Sequence, residues 1–369
     1  MTILVLSSHT PSLFWFRMDM MRSFIKAGAK VYAVANESEE LWKGKFDNEG
    51  IDYRAIPVSR NGLNILGDVR TFNTLRNIIS CIKPDKIFTY QAKTIVYGIL
   101  AARSIDKNIE CYPLVAGLGS IFRGEGIKNR IIRAVLSLQY KMAFKFSSKV
   151  IFQNNDDKNE LLRYKLLKPD KIRIINGSGV NLDRFICKPL PAIPAILYVG
   201  RLVKDKGIRE YLELAQRLKR VKPDVRCLLV GPFDSNPSAI SPEDLQPYID
   251  KKIIEYYGEQ SDVRPYLAQC SVYVLPSYHE GTPKSVLEAM ATGRPIVTTD
   301  APGCRETVMN GINGFLVPVK DTDALFETVI KIIDDGCLSR KFALESRRIA
   351  EDKYDVNKVN ASIRLIIGI

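Results

Sequence analysis

Short apolar runs separated by longer amphipathic stretches set the rhythm of this chain from its first residues. Ile3 to Leu6, Lys30 to Ala35, Lys86 to Tyr90, Tyr112 to Val115 and Val150 to Gln153 have strand length and are rich in β-branched and aromatic residues. With helical patterns between them, they predict a parallel α/β sheet. The rhythm breaks at Asp183 to Pro194, where Pro189, Pro191 and Pro194 follow one another with little periodicity, and that stretch reads as a linker. A second series begins at Ala195 to Val199. It continues through Cys227 to Val230, Ile253 to Tyr256, Ser271 to Leu275, Pro295 to Thr299 and Gly314 to Val317. The pattern predicts two doubly wound, Rossmann-like domains, residues 1–190 and 191–353. The last segment, 354–369, is predicted as a terminal helix that can pack back on the first domain. Such sheets bind ligands outside the carboxyl ends of their strands, so a cleft between two facing domains is the expected site.

A chain of 369 residues with 46% apolar content can give each domain its own core. The formal charge of +13 calls for a partner that tolerates positive surface: nucleic acid, anionic lipid or a phosphorylated substrate. No zinc-finger spacing, RNP-type aromatic motif or recognition helix is present, which argues against nucleic acid. The seven cysteines are scattered and odd in number, which points to a reduced cytosolic compartment. Met1 to Leu6 is apolar but short and lacks a basic leader, so it reads as a first core strand rather than a signal peptide. No run approaches the ~18 apolar residues that a membrane span needs.

The chemistry concentrates in Pro276-Ser277-Tyr278-His279-Glu280-Gly281-Thr282-Pro283-Lys284-Ser285-Val286-Leu287-Glu288. Ser271 to Leu275 predicts a buried strand, Glu280 to Pro283 a turn, and Lys284 to Met290 the opening of a helix whose N–H groups favour an anion. Glu280 stands just outside that opening and Glu288 one to two turns inside it. Neither acid suits a phosphate, and both suit hydroxyls. The pair therefore points to sugar hydroxyls on both sides of a diphosphate, as in a nucleotide sugar. A second signal, Gly200-Arg201-Leu202-Val203-Lys204-Asp205-Lys206-Gly207, follows the first strand of the second domain. Arg201 supplies a planar fork for phosphate oxygens and Lys206 a mobile point charge.

These residues, together with Gly293 and Pro295-Ile296-Val297, resemble the retaining glycosyltransferases of family 4, with the GT-B fold of two facing Rossmann-like domains. The resemblance covers most of the chain and is most specific over residues 197–318. It implies that Glu280 contacts the donor sugar and Glu288 the ribose. It likewise implies that Arg201 and Lys206 hold the diphosphate, and that the donor also meets Gly281, Thr282, Pro283, Ser285, Val286 and Leu287. The nucleobase is implied near Gly231, Pro232, Tyr257, Gly258 and Val263. In the amino-terminal half, Gly98-Ile99-Leu100-Ala101-Ala102, Gly117-Leu118-Gly119-Ser120 and Phe144-Lys145-Phe146-Ser147 resemble bacterial N-acetylgalactosaminyltransferases that extend a sugar on a polyprenyl diphosphate. Ser8, His9, Lys93 and Gly117 are the acceptor-side or phosphate-side candidates. Many family members carry a histidine or acid where this chain has Ala116-Gly117, and its only histidines are His9 and His279.

A front-face transfer is therefore expected, in which the leaving diphosphate takes the acceptor's proton while Arg201, Lys206 and the helix N-terminus stabilise it. A covalent role for Glu280 is the alternative. No D-x-D-like site accompanies the motif, so neither metal nor cofactor is expected. The implied partners are a UDP-sugar, a polyprenyl-diphosphate-linked saccharide and the inner face of a membrane. For the membrane, Arg130, Arg133, Ser137, Lys141, Lys145 and Ser148 predict a basic stripe on an otherwise apolar helix over 130–149, with Arg123 and Lys128 before it and Leu13-Phe14-Trp15-Phe16-Arg17 near the first loop. The same helix read blandly packs on the first sheet with a charged outer edge. The competing functions are a nucleotide-sugar epimerase or a phosphorylase on the same scaffold, and a non-enzymatic basic module for lipid or nucleic acid.

Overall fold

The computed structural model describes residues 1–369 except 60–63, 119–121, 123–125, 235 and 237, and describes residue 128 without its side chain. Gly119, Ser120, Arg123 and the Lys128 side chain, singled out above, lie outside the described residues. The chain divides into two compact units, Met1–Ser178 with Val356–Ile369, and Gly179–Asp355.

In the first unit β1 (Thr2–Leu6), β2 (Lys30–Ala35), β3 (Asp52–Ala55), β4 (Lys86–Tyr90), β5 (Glu110–Val115), β6 (Val150–Phe152) and β7 (Ile172–Ile174) form a parallel sheet in the order β3-β2-β1-β4-β5-β6-β7. Its helices are α1 (Thr10–Lys26), α2 (Glu39–Asp47), α3 (Ile65–Ile82), α4 (Ala92–Ile105), α5 (Ile127–Phe146) and α6 (Asn155–Arg163). The second unit orders β8 (Ala195–Val199), β9 (Arg226–Val230), β10 (Glu255–Tyr256), β11 (Val272–Leu275), β12 (Ile296–Thr299) and β13 (Gly314–Val317) as β10-β9-β8-β11-β12-β13, again with parallel pairing. Around it lie α7 (Ile208–Val221), α8 (Pro242–Asp250), α9 (Arg264–Ala268), α10 (Lys284–Ala291), α11 (Thr322–Asp334) and α12 (Gly336–Lys353), and the chain ends in α13 (Val356–Ile367).

The two faces of the first sheet follow from the period of two along a strand. Ile3 and Val5 of β1 enter one core with α1 and α13, whereas Leu4 and Leu6 enter the other with α3, α4 and α5. Val359, Ile363 and Ile367 bury α13 in the first of these cores. The strands that periodicity passes over are the two edges of this sheet. β3 carries Asp52 and Arg54, and β7 is three residues long and half-exposed, so neither presents a continuous apolar run.

Two expectations are corrected. The proline-rich segment is no loose linker, and the division falls before it rather than at 190. Val180 and Phe185 are buried in the second core. The fully buried Arg294 donates to the carbonyls of Lys188 (2.9 Å), Pro189 (3.1 Å) and Cys270 (2.9 Å), which fixes the segment to the second unit. The stripe on α5 also differs from its expected form. Arg130, Lys141 and Lys145 are exposed, but Arg133 turns to the Tyr164 hydroxyl (3.3 Å) and Ser148 lies beyond the helix. Between the exposed cations stands an apolar ridge of Ile127, Ile131, Val135, Leu138 and Met142, all exposed, while Tyr140, Ala143 and Phe144 carry the packing. Among the described residues no helix is long and apolar enough to cross a membrane.

Ile363→Ala leaves a cavity in the core that joins α13 to the first sheet. The expected cost is about 2–5 kcal/mol. Denaturant titration should show an earlier transition for the first unit with that of the second unmoved.

Candidate active site

The second sheet reverses its winding between β8 and β11, and a doubly wound sheet opens its crevice at that switch point. The basic motif follows β8 and the acidic motif follows β11, so topology alone brings them side by side. Gly207 fixes how closely. It ends the turn Lys204–Lys206 at φ +74°, and a Cβ there would lie 2.1 Å from the carbonyl oxygen of Pro276. Backbone therefore packs on backbone. The Tyr278 N–H (2.9 Å) and the Ser277 hydroxyl (3.2 Å) both donate to the Asp205 carbonyl and stitch the loops together. Lys206 Nζ is thereby held 2.5 Å from Glu280 Oε1, with both side chains largely buried. Gly303 backs the turn from behind at φ +78°. A Cβ there would meet the Glu280 carbonyl oxygen at 2.2 Å, and the Glu280 N–H donates to the Pro302 carbonyl (2.9 Å).

Arg201 is held by a partner that the motifs did not announce. Its Nη1 donates to Asp234 Oδ2 at 2.6 Å, from the loop after β9. The neighbouring loops are joined through their backbones: Leu202 N–H donates to the Pro232 carbonyl (3.1 Å) and Gly231 N–H to the Gly258 carbonyl (2.8 Å). Tyr257 is committed to structure at its polar end. Its hydroxyl donates to Glu255 (2.7 Å) and accepts from Arg226 (3.3 Å), and those two residues are themselves paired at 2.6 Å. Val263 precedes α9 and packs against the second core.

Helix α10 opens after Pro283 with no side-chain cap and no acid in its first turn, which leaves its positive pole for an anion. Val286 and Leu287 are fully buried in the core, so their side chains pack and only their backbone is available to a ligand. Gly281, Thr282 and Pro283 are buried, Ser285 half-buried, and His279 sits half-buried in the turn. Glu288 differs from Glu280. Among the described residues its carboxylate makes no hydrogen bond or ion pair, and burial pushes its pKa up against the opposing pull of Lys284 and Arg184. A desolvated carboxylate in that state is suited to hydroxyl donors from a ligand.

In the first unit Ser8 donates through both its N–H (2.7 Å) and its hydroxyl (2.8 Å) to Gln91 Oε1. His9 caps α1 in an extended conformation, its N–H donating to Ser7 Oγ (3.1 Å). Gly117 takes φ +113° just after β5. Lys93 is held in a pair of the same kind as Arg201 and Lys206: its ammonium lies 2.8 Å from Asp68 and donates to Ser59 (2.9 Å). The pairing of the loop acid Asp234 and the burial of the helical Arg17 are features the motifs did not announce. Asp234 carries no sequence sign of its pairing. Arg17 does carry one: it stands on the helical repeat of Leu13, Met20, Met21 and Phe24, the buried stripe of α1.

Residues 193–335 match the family Glycosyl transferases group 1. The chain is 31% identical, over 97% of its length and 96% of the relative's, to an N,N'-diacetylbacillosaminyl-diphospho-undecaprenol alpha-1,3-N-acetylgalactosaminyltransferase of Campylobacter jejuni. It is 25% identical, over 77% of its length and 75% of the relative's, to a UDP-Gal:alpha-D-GlcNAc-diphosphoundecaprenol alpha-1,3-galactosyltransferase of Escherichia coli. Among solved structures it is similar to Anabaena HepE in complex with UDP, with a TM-score of 0.78, 18% identity and full coverage of both chains.

The unpartnered Glu288 has a stability signature. Its folded pKa lies above the unfolded value, so the folded state binds the proton more tightly. Stability of the ligand-free protein should be full below the ordinary carboxylate range and fall as pH rises through the raised value. Glu288→Gln should flatten that fall in a melting series across pH. It should also weaken UDP binding about 10- to 100-fold, the worth of hydrogen bonds to a charged group.

Proposed function

The chain belongs to the group 1 glycosyl transferases and has their GT-B fold of two Rossmann-like units, and from that premise we propose that it moves an N-acetylhexosamine from a UDP-sugar to a hydroxyl of a polyprenyl-diphosphate-linked saccharide in surface-polysaccharide assembly. The observation that carries the donor half is the 2.5 Å contact of Lys206 with Glu280 beside the unpartnered Glu288. A phosphate cation and a sugar-binding acid meet at one point, where the sugar–phosphate linkage of a donor would lie, and a second acid waits further along for the ribose. The acceptor half draws support from the two relatives named for diphosphoundecaprenol-linked substrates.

On this reading the anomeric bond to the β-phosphate oxygen breaks, the acceptor hydroxyl bonds the same face of the sugar, and its proton passes to the leaving phosphate. Arg201, Lys206 and the N-terminus of α10 take up the charge that develops, so the reaction needs neither metal nor cofactor. Donor binding exchanges two internal pairs, Arg201 with Asp234 and Lys206 with Glu280, for contacts with the diphosphate and sugar. A panel of UDP-sugars assayed with polyprenyl-diphosphate-linked saccharides, reading product mass and anomeric configuration, tests the whole. Retained configuration, activity unchanged by EDTA and a loss of at least about a hundredfold in Glu280→Ala are the expected results. Inversion would defeat the retaining assignment. Conversion of the UDP-sugar without any acceptor would favour an epimerase.

Such an acceptor sits in a bilayer, and the ridge on α5 is suited to meet it there. Ile127, Ile131, Val135, Leu138 and Met142 would enter the headgroup boundary with Arg130, Lys141 and Lys145 against anionic lipid. The protein should float with vesicles containing phosphatidylglycerol and not with purely zwitterionic ones. Ile131→Asp with Leu138→Asp should abolish flotation and leave transfer to a detergent-soluble acceptor intact; undiminished flotation of that variant would overturn the assignment.

A further inference from the structure

The first sheet has its own switch point, between β1 and β4, and the group beside it is a buried cation. Arg17 is only 5% exposed, and its Nε is buried without a hydrogen-bond partner. Its one polar partner among the described residues is the neutral Tyr90 phenol at the end of β4. The guanidinium carbon stands 5.0 Å from that ring's centroid, and the Tyr90 hydroxyl is already bonded to Ser12 Oγ at 2.9 Å. Burial lowers the pKa of Arg17 from the ordinary guanidinium value. Arg294, the other buried arginine, also leaves its Nε unbonded, but its two terminal nitrogens donate to three backbone carbonyls. A desolvated cation without a carboxylate is costly to the fold, and the face of the neutral Tyr90 ring offsets only part of that cost.

The residue after Tyr90 is also strained. Gln91 is non-glycine at φ +73°, ψ 141°, a sparsely populated conformation of the kind that concentrates at functional sites. Its Oε1 accepts from Ser7 Oγ (2.9 Å), Ser8 N (2.7 Å) and Ser8 Oγ (2.8 Å), so the amide oxygen is turned inward toward the end of β1. That arrangement leaves the side-chain amide's own N–H donors without a partner among the described residues. The switch point of the first unit thus combines a buried cation that lacks a carboxylate with spare N–H donors, a combination suited to an anion.

We infer that Arg17, with Gln91 beside it, forms an anion site in the first unit that takes a phosphate of the acceptor's diphosphate. This deepens the acceptor half of the proposed function and rests on it. Lys93 is paired with Asp68, whereas Arg17 has no carboxylate partner among the described residues.

The experiment compares the full-length protein with Arg17→Met, which keeps the stem and removes the charge, and with Arg17→Lys. Two acceptors are used: a polyprenyl-diphosphate-linked saccharide and the same saccharide on a phosphate-free alkyl aglycone. Arg17→Met should melt no lower than the parent, because an uncompensated charge is gone. It should raise KM for the diphosphate acceptor at least tenfold, leave the phosphate-free acceptor unchanged, and keep its affinity for UDP, with Arg17→Lys in between. Equal loss with both acceptors, or a lowered melting temperature with unchanged KM, would show a packing role and overturn the site. Calorimetry with inorganic pyrophosphate on UDP-saturated protein separates the two levels of inference. Binding that Arg17→Met weakens tenfold upholds the anion site even if the parent rejects every lipid-linked acceptor, an outcome that would defeat the acceptor reading alone. Pyrophosphate binding unaffected by the substitution would defeat the site.

Discussion

Everything at the donor end depends on how closely two loops approach at the β8–β11 switch point. Gly207 brings the backbone of the basic loop onto that of Pro276, and the Asp205 carbonyl accepts from both Ser277 and Tyr278. Without that approach Lys206 and Glu280 would be two solvated side chains of opposite sign, whose attraction in water is worth little. With it they form a largely buried pair at 2.5 Å, poised for exchange with a ligand that offers negative oxygens to the one and hydroxyls to the other. The rest of the site is arranged around this contact. Gly303 supports the turn from below, α10 supplies its uncapped pole, and Asp234 holds Arg201 at the neighbouring loop.

The two units use charge in opposite ways. In the second, Arg201 and Lys206 each have a carboxylate, while the acid Glu288 makes no ion pair among the described residues. In the first, Lys93 has its carboxylate, and the group left over is a guanidinium, Arg17. Each unpaired group lies near the switch point of its sheet, where a doubly wound fold exposes its loops. A folded chain keeps an uncompensated buried charge at a cost in stability, and such costs gather where a ligand later supplies the missing partner. On the proposed function, the acid would meet sugar hydroxyls and the cation a phosphate, the two chemistries of a transfer from a nucleotide sugar to a phosphorylated acceptor.

The legible and the hidden parts of the fold divide along burial. Central strands such as β1, β4, β8 and β11 are apolar on both faces and read as strands without help. The edge strands β3 and β7 escaped because one side of each meets water and their apolar runs are interrupted. The proline-rich segment read as a linker because proline breaks periodicity, yet Arg294 and the buried Phe185 fix it to the second unit. On α5 the cations were visible in the sequence. That the apolar residues between them face outward depended on which side Tyr140, Ala143 and Phe144 turned inward.

By itself the sequence determined the parallel α/β organisation, the two carboxylates flanking a helix opening and the two cations after the first strand of the second series. All of these follow from local spacing and the chemistry of single residue types. Only the tertiary structure decided which charge meets which. Lys206 pairs with Glu280 and Arg201 with Asp234, whereas Glu288 and Arg17 have no ion-pair partner among the described residues, because these pairings join residues that lie far apart in the chain and meet only at the ends of adjacent strands. Periodicity reports which face of an element is buried. It carries no record of what stands opposite, and for a buried charge the opposite group decides whether it serves the fold or waits for a ligand.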